Sequence, residues 1–541
     1  MGRMGRTGAL LVAAVVVSAT LELGVGSPPV EGAAAGAPPV AGALYSWGIS
    51  FDGQLGNHTF SGPATCADGA TCSPSPVEVS LPAGVTPVAV AGGGNSGYAI
   101  GSDGNLYGWG ERPVGDGTAV NRTHPVRVLL PSGVGPTAIA GGVNSGYAIG
   151  NDGRLYGWGS NWAGQLASGS ERSSLTPAVI TLPGGATPVA IAASNATAYA
   201  LGSDGRLYAW GDDAQGEVGN GATSSKDATP TPVPFPSGVT PVAVAAGQAA
   251  AYAVGSDGNL YAWGDNYWGE LGIGAAAGPD SCSGVPCSTV PVRVVLPAGV
   301  SPRSVAAGAG SAYVLGSDAT IYAWGDNGAG QVGDGTSGSD PVLAPVPVSL
   351  PPGTDPTGVA AGGYGDGFAI GSGGELYAWG SNSTGQLAVG FVAGPQTCAV
   401  DEPPYSFACS PEPVLVPLPG AVRAIAAPFD GGYAIAAAGI VGPSTTLHLV
   451  SSRLRSVAVG HPANFRATVS APDGRPQGTV QFSVDGTPWG PPEPLTVRHA
   501  TTTVTSLPVG TDTVGAAFSS TNGFLPSSAS VTQVVVGHRS G

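Results

Sequence analysis

"VAAGQAAAYAVGSDGNLYAWGDNYWGELG", Val244 to Gly272, decides the fold. It sets a small-residue aliphatic run, "VAVAAG" from Val242, beside "AAYAVGSDG" and "NLYAWGD", each too short for a helix and bounded by Gly or Asp-Gly. After a longer loop, "PVRVVLP" supplies a fourth extended piece, so Val242 to Pro297 is one unit of four strands. Asp257-Gly258 between the second and third pieces predicts a two-residue hairpin turn, since both residue types tolerate positive φ. Asp103-Gly104, Asp152-Gly153 and Asp204-Gly205 repeat the signal, and "SDAT" (Ser317 to Thr320) and "SGGE" (Ser372 to Glu375) are degenerate copies. The turn accounts for these recurring aspartates without a metal.

The unit recurs along the chain. Trp47, Trp109, Trp158, Trp210, Trp263, Trp324 and Trp379 each precede a Gly, at spacings of 49 to 62 residues. A second aromatic, Tyr98, Tyr147, Tyr199, Tyr252, Tyr313 or Phe368, stands upstream of each of the last six, and Tyr433 follows the last Trp. Seven four-stranded units with a period near 50 predict an all-β chain built as a seven-bladed β-propeller, its Tyr and Trp rings filling the space between blades. The first unit opens halfway, at "ALYSWG" (Ala43 to Gly48), and the last stops halfway, at "VRAIAAP" and "GGYAIAAAG" (Val422 to Gly439). The halves complete one another if strands from both ends of the chain share a blade and close the ring, which removes free edges.

Composition narrows the partners. The chain of 541 residues carries 34 acidic and 18 basic side chains, a net charge of −16, and Lys226 is its single lysine. A protein that tracks phosphates needs a basic face, so nucleic acid is not an expected partner. Arg3 and Arg6 precede the apolar run "GALLVAAVVVSATL", the core of a signal peptide and too short to span a bilayer. Residues 1–37 are therefore read as signal peptide and leader. The expected location is extracellular or at the cell surface, with no membrane span in the mature chain.

A short element follows most of the Trp-Gly pairs: "GQLG" at Gly53, "GQLA" at Gly164 and Gly385, "GEVG" at Gly216, "GELG" at Gly269 and "GQVG" at Gly330. The Trp109 unit keeps only "VGDG". Together with A-A-G, D-G and Y-x-W-G, this pattern resembles the regulator of chromosome condensation repeat over residues 43–441. The family's usual His-Ser pair after A-A-G is missing from every unit. Nuclear members of that family act on a small GTPase and contact chromatin, and an exported acidic chain is expected to meet neither. Secreted propellers of the family that inhibit β-lactamase are similar in character, and they are binders. Residues 444–537 change to alternating strand material, including "ANFRATVSA", "GTVQFSVDG" and "LPVGTDTVGAAF". This segment resembles a bacterial Ig-like domain, a β-sandwich that serves as spacer or adhesive module.

Six cysteines form three local pairs: Cys66 with Cys72, Cys282 with Cys287, and Cys398 with Cys409. Each lies between the "GQLG" position and the fourth strand, and the loops open alike, with "GPATC", "GPDSC" and "GPQTC". In an exported chain an even count reads as disulfides, and local pairing is the simplest arrangement. Equivalent positions place the three loops on one face. The longest carries Asp401, Glu402, Tyr405 and Phe407, a candidate binding loop for a protein or glycan. No catalytic residue, metal ligand set or cofactor motif is identified, and the propeller's two histidines, His58 and His124, fall in different units. The expected function is recognition without catalysis. The alternatives are an exported hydrolase or lyase with carboxylates at the axial mouth, or an enzyme-inhibitor propeller.

Overall fold

A computed structural model describes residues 42–66, 69–390, 395–399, 406–437, 446–452, 457–459, 461–470, 477–484, 487–505, 507–520 and 527–536. The expected signal peptide and the junction at 441–444 lie outside them. The fold is all-β: among the described residues the one helical element is a single turn at Pro183–Gly185.

Seven antiparallel sheets carry the seven tryptophans. In the Trp263 sheet the order is Pro241–Ala246, Ala250–Gly255, Leu260–Asp265, Val285–Arg293 and then the short Asp280–Cys282, and five of the other sheets repeat the order of the first four. The Trp47 sheet is assembled from both regions of the chain. Gly42–Ile49 pairs with Gly431–Ala437, in register from Gly42 opposite Ala437 to Gly48 opposite Gly431, and with Thr71–Glu78 on its other side. First strands of successive sheets touch in order from Pro87–Gly92 through Val422–Ala426, and the last touches the first. The opening half-unit thus has its missing strands.

Second and third strands are buried along nearly their whole length, and completely in Ala250–Gly255 and Leu260–Asp265, because each sheet is covered on both faces by its neighbours. The largest fully buried side chains are the repeat aromatics, stacked edge to face between adjacent sheets: Tyr98 on Trp158, Tyr252 on Trp324, and Tyr433 on Trp109.

The hairpin turns differ from the two-residue turn expected. Gly104 donates to the Gly101 carbonyl and Gly101 to the Asn105 carbonyl, which makes a three-residue loop with only the glycine left-handed, at φ 73°. Asp103 keeps negative φ because its carboxylate is engaged: it accepts the Asn105 N–H and the Tyr107 hydroxyl. Tyr156 and Tyr208 donate likewise to Asp152 and Asp204, and these hydrogen bonds first of all hold both carboxyls below their ordinary range. Each aspartate is a clasp for the third strand.

The remaining two sheets form a sandwich. Thr446–Ser451, Ala463–Ser470 and His499–Val504 face a five-stranded sheet that includes Gly478–Val484, Gly510–Ser520 and Ser527–Val536. Phe465, Phe482 and Phe518 fill the space between, and Ala463–Ser470 alternates buried and exposed as one solvated face requires.

Candidate binding face

In a four-stranded antiparallel unit, the connections after the first and third strands emerge at one end. At that end the first connections of neighbouring units join by backbone hydrogen bonds: Phe429 to the Gly94 carbonyl at 3.3 Å, Gly94 to Gly142 at 3.3 Å, and Val143 to Asn195 at 2.8 Å. The aspartate turns lie at the opposite end.

The third connections carry the "GQLG" element, whose role is positional. The backbone carbonyl of its second residue accepts the indole N–H of the next sheet's tryptophan, as in Gln54 with Trp109, Glu217 with Trp263, and Gln386 with Trp47. The same carbonyl accepts the hydroxyl of a buried tyrosine, 18 residues upstream in Tyr199 and Glu217. The side chain of that residue folds back onto the backbone N–H two positions earlier, whether it is Gln165 or Glu270. In the Trp109 unit Pro113 stands at this position, and Trp158 Nε1 is left without the carbonyl partner.

Glu217 and Glu270 thus occupy a glutamine's place. Burial pushes their carboxyls up, to about 7 and about 8, with neighbouring aspartates adding to the effect. Asp213, buried on the same connection, rises to about 6. Asp366 is also fully buried; burial first and Asp430 second raise its carboxyl well above the ordinary value, and neither of its oxygens has a hydrogen-bond partner.

The cysteines pair as Cys66–Cys72, Cys282–Cys287 and Cys398–Cys409, all in the Trp47, Trp263 and Trp379 sheets. Each connection folds into a short fifth strand, Ala64–Thr65, Asp280–Cys282 or Gln396–Ala399, paired with a fourth strand that starts earlier than the proline-rich runs indicated. Alternation is lost there, in "TCSPSP" for example, so periodicity gave no signal. The shared Gly-Pro openings have a steric reason. A β-carbon at Gly62 would overlap the Cys72 carbonyl, and one at Gly278 the Cys287 backbone.

These hairpins share the end that carries the first connections. The Trp379 and Trp47 sheets are neighbours: Gly390 donates to the Pro74 carbonyl at 2.7 Å. Of the candidate binding loop, Phe407 lies on a strand opposite Cys398, half-buried, while Asp401, Glu402 and Tyr405 lie outside the described residues. The two propeller histidines, separate in sequence, come together: the His58 and His124 rings stack with centroids 4.7 Å apart. Burial and then the neighbouring His58 lower the His124 pKa. Among the described residues no group of three or more His, Cys, Asp or Glu side chains is arranged to hold a metal.

With this geometry in place, comparisons identify the parts. The regulator of chromosome condensation (RCC1) repeat matches residues 41–100, 152–201, 204–254, 257–315 and 318–365, and the bacterial Ig-like domain (group 3) matches 450–537. The stretch between the first two repeat matches holds the third and fourth strands of the Trp109 sheet, with its Pro113 departure, and the first two strands of the Trp158 sheet. Human E3 ubiquitin-protein ligase HERC2 is 27% identical over 358 residues, 65% of this chain. The chain spans only 7% of that relative's length. Human WBSCR16 superposes with a TM-score of 0.60 at 21% identity, over 73% of this chain and 99% of that one. Prp20p of Saccharomyces cerevisiae, whose structure was described with its binding to Gsp1p and histones, gives 0.59 at 20% identity over 73% and 91%.

Proposed function

From a chain that carries RCC1 repeats followed by a group 3 bacterial Ig-like domain, we propose an exported, non-catalytic binding protein. Its propeller recognises a protein or glycan through the disulfide-bearing end, and its Ig-like domain acts as spacer or adhesive module. The observation that carries this reading is the repetition of one device: three cystine-linked hairpins, at the same place in three sheets, all at one end. A ring held by buried aromatics does not need them for its core. Disulfides in small loops belong to an oxidising compartment. Among the described residues no helix is long and apolar enough to cross a membrane.

The reading leaves out nucleic acid, on the acidity of the chain, and a small GTPase, on export. The buried acids with raised pKa do not argue for catalysis where glutamine does the same work in sister repeats, as at Glu217 and Glu270. A hydrolase or lyase reading has one observation in its favour, the unbonded carboxylate of Asp366.

The test is capture. The full chain, immobilised, is exposed to the medium and surface fraction of its own cells. The capture is then repeated with the hairpins 62–72, 278–287 and 394–409 each replaced by a short Gly-Ser turn. Partner capture is expected to be lost on replacement. Undiminished capture, or cleavage of an offered glycan that Asp366→Asn abolishes, would overturn the reading.

A further inference from the structure

Large aromatic side chains stand in solvent at the disulfide-bearing end. Tyr267 is 58% exposed, Trp268 38% and Tyr364 58%. The fold does not call for an aromatic at the Tyr267 position: sister units place Ala214, Gly328 and Ser383 there, while Phe51 and Trp162 stand there, also exposed, in two others. Exposed aromatics clustered in this way mark a contact surface.

The cluster is continuous. Tyr267 and Trp268 meet edge to face at 4.8 Å. Trp268 and Asp326 flank Gly310, where a β-carbon would lie 3.3 Å from each. Asp326 accepts the Gln331 side-chain amide at 2.7 Å, and that amide borders Gly365, next to Tyr364. On the other side, Asp265 accepts the Tyr267 N–H at 2.9 Å and the Gln215 side chain at 3.3 Å. The rings are thus bracketed by two carboxylates that meet only neutral donors.

Cations not already paired with an acid are segregated from this surface. Between residues 210 and 437 the chain has only Lys226, Arg293, Arg303 and Arg423 as Lys or Arg. Lys226 is ion-paired with Glu171. Arg293 lies opposite Tyr261, Arg303 reaches the Ser317 carbonyl and Arg423 sits beside Gly42, all at the aspartate-turn end. Burial raises the Asp265 and Asp326 carboxyls, as expected for charges without a counter-ion.

We propose that Tyr267, Trp268 and Tyr364, with Asp265 and Asp326 beside them, form the docking surface for an arginine- or lysine-bearing segment of a partner protein. A guanidinium or ammonium stacks on the Trp268 and Tyr267 rings while the carboxylates take its charge. The surface has aromatic faces and anions but no cation of its own, so a basic peptide complements it and a phosphorylated or acidic one does not. This inference rests on the reading of that end as a binding surface and names its partner class.

The test uses the full chain and three fluorescent probes: a 12-residue Arg-Gly peptide, its Glu-Gly counterpart, and chitohexaose as a neutral glycan. Anisotropy is expected to report binding of the Arg-Gly peptide alone, weakening as salt rises. Trp268→Ala and Asp326→Asn are each expected to weaken it about 5- to 30-fold. Asp355→Asn, an equal charge change at the other end, is expected to leave it unchanged. If Trp268→Ala fails to fold by circular dichroism, the more exposed Tyr267→Ser takes its place. Equal binding of the Glu-Gly peptide, binding of chitohexaose alone, or equal weakening by Asp355→Asn would overturn the inference. Loss of partner capture on hairpin replacement without Arg-Gly binding would overturn this inference alone. Trp268-dependent Arg-Gly binding with capture unaffected by hairpin replacement would instead overturn the hairpin reading alone.

Discussion

The hydroxyl of Tyr433 donates to the backbone carbonyl of Gln54, 2.9 Å away and 379 residues earlier in the chain. The same carbonyl takes the Trp109 indole. One peptide group therefore ties the last strand, the first unit and the second sheet together. Deleting Gly42–Ile49 strips the partner from Gly431–Ala437 and empties the Trp47 pocket. The melting temperature of the propeller is expected to fall far more than on deleting the chain from Thr446 onward. Differential scanning calorimetry of the two deletions decides this, and an equal or smaller loss for the strand deletion would contradict it.

Phe368 marks a missing hydrogen bond. Tyr199, Tyr252 and Tyr313 each donate to the carbonyl 18 residues on, whereas Phe368 has no hydroxyl to offer Gln386, whose carbonyl accepts Trp47 alone. Phe368→Tyr is expected to stabilise the chain by about 0.5 to 1.5 kcal/mol in urea unfolding. Trp47→Phe, which leaves that buried carbonyl unpaired, is expected to cost about 1 to 3 kcal/mol.

Glu217 and Glu270 make stability depend on pH. Their folded values, about 7 and about 8, lie above the ordinary 4.5 that the unfolded chain keeps. The folded protein therefore holds protons that the unfolded chain releases, so the contribution of these two groups to stability is full below about pH 4 and is lost as pH rises through 7 and 8. Glu217→Gln and Glu270→Gln install the residue found at Gln54 and Gln165. Each is expected to leave stability at pH 4 unchanged and to add on the order of 2 to 3 kcal/mol at pH 9. Urea midpoints at the two pH values are the readout.

Ala319 holds the turn position that glycine holds elsewhere, at φ 61°. Ala319→Gly is expected to stabilise by about 1 kcal/mol, because a side chain in the left-handed region is strained. Thermal melts of parent and variant suffice to check it.

The sequence makes the ring legible because its determinants are local and repeated. The Trp-Gly pairs, the Asp-Gly turns and the two half-units each point to one arrangement. Three features escaped it. The fifth strands at Ala64–Thr65 and Asp280–Cys282 are two or three residues long and lie in proline- and serine-rich text, where no period can be read. The role of "GQLG" was hidden for a different reason: its bonds run from a backbone carbonyl to rings tens of residues away, and carbonyls leave no mark in a sequence. The exposed Tyr267 and Trp268 were visible only as letters within the repeat, and their solvent exposure comes from the end of the sheet at which they fall.

If the disulfide-bearing end is the binding end, a bound partner protects that end from solvent. Hydrogen–deuterium exchange on the full chain, with and without its captured partner, tests this most directly. Slowed exchange is expected in segments 60–72, 264–287 and 396–409, with the turns around Asp152, Asp204 and Asp257 unchanged. Protection at those turns, with the hairpins unaffected, would contradict it.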